Sequence, residues 1–275
     1  MTFDSYEQSN QSGAPISLYE FRWGAVFWRY TSADQNIPFD GEEFRAVAIS
    51  DSGMVQGGSA AADFTVSLQS NLPIVDLFRQ SAPSETIWLT VRRKHFGDPT
   101  DEAAVYWVGR VANVKRLENL AAAEARCIAL GSMFKQGGLR LSWDRNCPHA
   151  LYDSQCRVNP LDHEYQRIVE TVTGSVIRIT VATLPTEGSF TGGYVEWDRG
   201  GGGTLDRKGI EEMISDREIR VFGGTDGLAP GDTVWIHPGC TRTTDVCNGG
   251  FGNIKNFGGF PFMPGKSPFD GTPVF

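Results

Sequence analysis

Between Tyr19 and Phe27 apolar side chains occupy every second position: Tyr19, Phe21, Trp23, Ala25 and Phe27 alternate with Glu20, Arg22 and Gly24. A period of two puts alternate side chains on opposite faces of an extended chain, so this segment predicts a β-strand. Further strands are predicted over Phe64–Leu68, Thr86–Arg93, Val105–Lys115 and Ala121–Leu130. Turn-forming residues from Thr31 to Asn36, and again at Phe39-Asp40-Gly41, punctuate the pattern. Asn71-Leu72-Pro73 predicts a cap followed by proline in the first turn of a short helix. Strands at this spacing fit an antiparallel barrel or sandwich, expected over residues 15–143. Residues 1–14, rich in Ser, Gln and Gly, are expected to form a flexible or extended arm. Cys127 shares a strand face with Ala125 and Ala129, which predicts a small buried residue and not a ligand.

Past Trp143 the pattern changes, and residues 144–275 are expected to form a second β-rich domain. Within it a β module over about 165–236 contains predicted strands at Val176–Leu184, Tyr194–Asp198 and Thr233–His237. Gly200 to Gly203 reads as a loop at a hairpin tip. Residues 238–275 lack periodicity and are dense in Gly, Phe, Pro and Asn, so an irregular tail is expected there. The fold class is mainly β.

A chain of 275 residues has room for two domains, and 40% hydrophobic residues suffice for packed cores. The formal net charge of −8, with no Lys/Arg cluster, removes the electrostatic attraction on which nucleic-acid binding depends. The polar, acidic start from Met1 to Glu7 lacks the features of a signal peptide, and no window approaches a membrane span. Synthesis and retention in the cytoplasm are expected, unless a larger assembly carries the protein out.

Five cysteines, at 127, 147, 156, 240 and 247, are an odd number, which argues against a disulfide framework and leaves metal binding open. Cys147 and Cys156 are separated by eight residues, and Cys240 and Cys247 by six. Two such pairs on loops that bracket a β module are one way to converge four soft thiolates on a metal group. Disulfides and incidental cysteines are the other readings of the same spacing. Structural zinc sites favour knuckles of two to four residues, so the wider loops here suit an iron–sulfur cluster better than zinc. Glycines at 239, 249, 250, 252, 258 and 259 could bring backbone N–H groups toward sulfur, and Phe251, Phe257, Phe260 and Phe262 could exclude water. His149 and His237 flank the cysteine loops as neighbours of the ligands, whereas His95 and His163 are expected at the surface.

Enzyme signatures are absent: the chain has no His-Glu-x-x-His, Gly-x-Ser-x-Gly or Cys-x-x-Cys. Gly265-Lys266-Ser267 imitates the end of a phosphate loop, but Phe260 stands where its first glycine belongs. Glu42-Glu43 and Glu211-Glu212 read as solvated turn or helix faces. No catalytic residue is assigned.

Several segments resemble phage tail-tip proteins: Cys147-Pro148-His149-Ala150-Leu151-Tyr152-Asp153-Ser154-Gln155-Cys156, Pro238-Gly239-Cys240-Thr241, Cys247-Asn248, and the run from Phe251 to Gly265. Trp28-Arg29-Tyr30-Thr31-Ser32 and the stretch from Ile37 to Phe44 look like the opening of the same hub domain. The resemblance is to baseplate hub proteins of gene transfer agents and Mu-like siphophages, and more distantly to the lambdoid minor tail protein L. It implies a structural protein of the virion tail, assembled in the host cytoplasm as a homotrimer. Such a hub closes the tail tube against the distal tail protein and other tail-tip or fibre proteins. It also implies a [4Fe–4S] cluster on Cys147, Cys156, Cys240 and Cys247, with zinc as the alternative. The cysteine spacings depart from the lambdoid pattern. Readings from other classes are a redox-active or cell-wall-hydrolysing tail enzyme and a receptor- or glycan-binding tip using Trp23, Trp28, Trp88, Trp107 and Trp197.

Overall fold

The structure is a computed structural model that describes residues 3–9, 13–54, 64–79, 81–117, 121–133, 143–180, 184–185, 190–200 and 202–264. It divides into two units, Met1–Gly137 with Asp198–Asp206, and Gly138–Trp197 with Arg207–Phe275.

The first unit opens with a short helix, α1 (Phe3–Glu7). Strands follow as β1 (Pro15–Trp23), β2 (Val26–Thr31), β3 (Ile37–Phe39), β4 (Glu42–Ala46), β5 (Ser50–Asp51) and β6 (Phe64–Gln69). Helix α2 (Pro73–Asp76) precedes β7 (Ile87–His95), β8 (Ala103–Arg116), β9 (Ala122–Ala129) and the helical turn α3 (Leu130–Met133). The strands form one nine-stranded sheet in the order β3-β4-β2-β1-β7-β8-β9-β6-β5. Its core gathers Tyr19, Phe21, Trp23, Val66, Leu68, Leu89, Val91, Trp107 and the fully buried Cys127, as its strand face predicts.

Several expectations for this unit are corrected. It is a sheet with β3 and β5 at its ends and not a barrel, because alternation specifies the buried face of a strand but not whether two edges meet. The pairing is not wholly antiparallel: β4 returns beside β2 in parallel, since β3 turns back outside it. The single strand expected through Phe27 is two, broken at Gly24, whose φ of 55° makes the turn between β1 and β2. The cap of α2 is Leu72, with proline at the first helical positions and no side-chain cap bond. In the arm, α1 is helical because Phe3 and Tyr6 set their rings against His95, at 5.3 and 5.4 Å, and Glu7 Oε1 lies 3.1 Å from its Nε2. His95 is accordingly buried and not at the surface.

The second unit holds the closed barrel, built of β10 (Tyr165–Thr173), β11 (Val176–Ile179), β12 (Tyr194–Asp198), β13 (Leu205–Ser215), β14 (Glu218–Val221) and β15 (Thr233–His237). Val169, Ile177, Val195, Trp197, Ile210, Ile219, Val234 and Ile236 fill it. Strands β12 and β15 have the predicted bounds, while β11 ends at Ile179, short of the expected Leu184, with Thr180 already outside the strand. Glu211 and Glu212 are exposed on β13, on a strand and not on a turn or helix.

Asp198–Asp206 clusters with the first unit. There the buried Arg199 pairs with Asp206 at 2.9 Å and donates to the carbonyls of Leu77 and Ser81. Asp206 also accepts the Ser84 N–H at 2.7 Å. The glycine tip is therefore flanked by a buried ion pair, which its composition does not announce.

Candidate metal centre

All four candidate ligands lie in the second unit, outside the barrel strands. The loop carrying Cys147 and Cys156 is shaped by Asp153. Its Oδ1 accepts the N–H groups of Cys156 at 2.6 Å and Gln155 at 2.8 Å, and its Oδ2 accepts that of Ala150 at 3.0 Å. The Cys156 N–H foremost, with Gln155 and Ala150, holds this carboxyl below the usual range. Tyr152 and Arg157 take left-handed backbone conformations, φ 69° and 60°, a strain that a fixed loop must offset. Tyr152 is tied down by its hydroxyl, which donates to the Pro238 carbonyl at 3.2 Å.

The loop carrying Cys240 and Cys247 turns at Arg242, also left-handed at φ 63°, and closes in a π-type turn over Val246–Gly250. Here the N–H of Cys247 donates to the Thr243 carbonyl, and that of Asn253 to the Cys247 carbonyl at 2.8 Å. The two loops then interlock. Cys147 N–H donates to the Arg242 carbonyl at 2.9 Å, Phe260 N–H to that of Asp144 at 2.8 Å, and Arg145 Nε to that of Met263 at 2.8 Å.

Three of the four sulfurs accept N–H groups: Cys240 from Arg242 at 3.3 Å, Cys147 from Gly258 at 3.4 Å, and Cys156 from the Asn253 side chain at 3.7 Å. Glycine is required at 259, and a side chain at 258 would have to displace His149. A Cβ on Gly258 would fall 2.2 Å from His149 Nε2, and one on Gly259 2.6 Å from the Arg145 carbonyl. Burial first, then the neighbouring Cys240, Cys147 and Cys156, push the buried Cys247 thiol upward, so the four thiols lie within electrostatic reach of one another. Among the described residues, however, no group of three or more His, Cys, Asp or Glu draws close enough to hold a single metal ion. The donor chemistry, soft sulfur supported by N–H groups, suits a thiolate-bound metal group.

Of the two histidines, His149 rests against Gly258, the donor to Cys147. His237 is buried, stacked on Tyr194 at 4.3 Å, with the Tyr152 ring edge-on at 6.1 Å. Its Nε2 lies 3.5 Å from Glu196 Oε2, an ion-pair distance without hydrogen-bond alignment. His163 sets its ring edge-on to Phe251 at 4.9 Å. The four phenylalanines do not act alike. Phe251 and Phe257 are half-buried, but Phe260 is 45% exposed, stacked on Trp143, and Phe262 is 96% exposed. Water exclusion by all four is thus corrected: the chain beyond Gly259 is anchored through backbone bonds that leave those rings outward. The Gly265-Lys266-Ser267 motif lies outside the described residues. Asp153 and Asn253 shape the site without being expected from the sequence to do so, whereas Gly258 is among the glycines expected to turn an N–H toward sulfur and does so at Cys147. The acceptor three positions before Cys156 was the one usable signal, since Asp in that place commonly caps a turn.

A family described as baseplate hub protein, N-terminal attachment domain, matches residues 17–159. A second, described as phage conserved hypothetical protein BR0599, matches residues 188–267. The first match contains Cys147 and Cys156, and the second Cys240 and Cys247. Among solved structures, a chain of the virion of native gene transfer agent (GTA) particle has the same fold, with a TM-score of 0.78 and 20% identity over 100% of this chain and 99% of that one. Among curated proteins no match is found.

Proposed function

This chain belongs to the baseplate hub protein family and is a component of a phage-like virion tail, and from that premise we propose that it is the hub closing the distal end of the tail tube. In this reading three copies form a ring that meets the distal tail protein on one side and tail-tip or fibre proteins on the other. The match of the hub attachment domain to residues 17–159 carries the hub reading. Family membership supports a structural role over a catalytic one. Of the tryptophans that a glycan-binding tip would use, Trp23, Trp107 and Trp197 are buried in the cores, which supports packing instead.

In the second unit, Cys147, Cys156, Cys240 and Cys247 would hold a [4Fe–4S] cluster. The N–H groups on three sulfurs suit thiolates that bind a metal group, and the wide spacing within each cysteine pair is what favours a cluster over zinc. When bound, it would supply thiolate–metal bonds that staple the two cysteine loops together. Such bonds add their binding free energy to the folded state. The chain supplies the rest: Asp153 pre-forms one loop, Tyr152 joins it to Pro238, and Gly258 brings a backbone N–H to Cys147.

Electron microscopy of assembled particles tests the hub reading. Density for this chain at the distal end in three copies is expected. Six copies around the tube, or absence from the particle, would contradict it.

A further inference from the structure

We propose that Asn253 is a positioning residue of the cysteine site, clamping Cys156 to the Cys247 loop and donating an N–H to the Cys156 sulfur. The proposal rests on the four-cysteine reading above and assigns one side chain a role within it.

Asn253 grips both cysteine loops at once. Its backbone N–H donates to the Cys247 carbonyl at 2.8 Å. Its side-chain Nδ2 donates to the Cys156 carbonyl at 2.6 Å and lies 3.7 Å from the Cys156 sulfur. The amide is oriented by Asn256, whose Nδ2 donates to Asn253 Oδ1 at 2.7 Å and leaves the Asn253 donors facing Cys156. The residue is half-buried, which limits competition from water. The other sulfur donors among the described residues, Arg242 and Gly258, act through backbone N–H groups, which do not depend on side-chain chemistry. Among the described residues, only at 253 does the donor to sulfur depend on the side chain.

An N–H dipole aimed at a thiolate lowers its basicity and favours the more reduced, more negative state of any cluster it binds. Removing it should therefore free Cys156 in the metal-free protein and make a bound cluster harder to reduce.

The test uses the full chain as wild type, Asn253→Asp, Asn253→Ala and Asn256→Ala. Aspartate keeps the shape but offers only acceptors to the Cys156 carbonyl and sulfur, whereas Asn256→Ala keeps the donor and releases its orientation. Metal-free proteins are alkylated with iodoacetamide at about pH 10, where exposed thiols are ionised and the rate reads release of the thiolate and not its protonation, and each cysteine is followed by mass spectrometry. The Cys156-to-Cys147 rate ratio is expected to rise roughly three- to ten-fold in both Asn253 variants, the range carried by one lost hydrogen bond. It should rise less in Asn256→Ala. Slow labelling of Cys127 reports that the first unit is folded, and circular dichroism reports the second. Should the Asn253 variants unfold, the ratio in Asn256→Ala decides. In protein reconstituted anaerobically with iron and sulfide, the midpoint potential is expected to move to more negative values while visible absorption is retained. An unchanged labelling ratio overturns the clamp, and an unchanged potential overturns the sulfur donation. Wild type that takes up neither iron nor sulfide sinks the cluster reading, and the labelling ratio then still decides on the clamp.

Discussion

Replacing Asp206 with alanine is expected to destabilise the first unit by about 3 to 5 kcal/mol, the scale for removing one partner of a buried ion pair. The side chains of Arg199 and Asp206 are 3% and 0% exposed, so water cannot take the place of the lost carboxylate. Arg199 would keep its bonds to the carbonyls of Leu77 and Ser81 but lose the carboxylate at 2.9 Å. The 2.7 Å bond from the Ser84 N–H to Asp206 would be lost as well. For a unit of this size each kcal/mol moves the midpoint by roughly 2 to 4 °C, so the shift should be about 6 to 20 °C. Thermal unfolding followed by tryptophan fluorescence reads it, because Trp23 and Trp107 lie in this core. The double variant Arg199→Met/Asp206→Leu should recover most of the loss, since removing both charges leaves no unpaired ion. A shift below about 2 °C for Asp206→Ala would correspond to less than about 1 kcal/mol and refute a desolvated pair.

Other outcomes follow from the same geometry. Burial pushes the Cys127 thiol up to about 12, so in metal-free protein Cys127 should resist alkylation at neutral pH while Cys147 and Cys156 react, as peptide mass spectrometry would show. Burial likewise raises Tyr30 to about 12. Both groups are neutral when protonated and hold protons more tightly folded than unfolded. Their stabilisation is thus complete below about pH 9 and fades between about pH 9 and 12, by roughly 1.4 kcal/mol per unit for each group titrating. Alkaline denaturation midpoints should therefore rise in Cys127→Ala, unless the smaller residue costs more in packing at neutral pH. Limited proteolysis is expected to cut beyond about residue 238 in metal-free protein and not in cluster-loaded protein, because the half-buried Phe251 and Phe257 and the exposed Phe262 leave this segment little apolar anchorage of its own. Equal protection of both forms would show that no metal group orders it.

Strands with one buried face were legible. Over β6, β7, β8 and β9 the alternation marks the inward residues, and Val66, Leu68, Leu89 and Val91 are indeed buried. β12 and β15 were equally plain, because valine, tryptophan and isoleucine alternate on them toward the barrel interior. Closure was not legible, since the same pattern serves an open sheet or a barrel. At Gly24 the alternation continued through a turn, because glycine passes for a polar position in a period-two count. His95 looked like surface because its covering residues, Phe3 and Tyr6, stood in a segment too polar to predict packing. At the cysteine site the ligand types and their pairing could be read. Gly258 could be read as one of the glycines that offer an N–H to sulfur, but Asn253 and Arg242 could not, for hydrogen bonds to sulfur depend on where loops meet and leave no spacing in the chain. Phe260 and Phe262 illustrate the converse: a run of aromatics states what could be buried, and the backbone bonds at Asp144 and Met263 decide which rings are.

The central claim, a hub whose four late cysteines hold an iron–sulfur cluster, is tested most directly by metal and sulfide analysis of anaerobically purified protein. About four iron and four labile sulfide per chain are expected, the content of a cubane on four cysteines. They should be lost on Cys247→Ser and retained on Cys127→Ala. One zinc per chain without sulfide, or no metal at all, would contradict it.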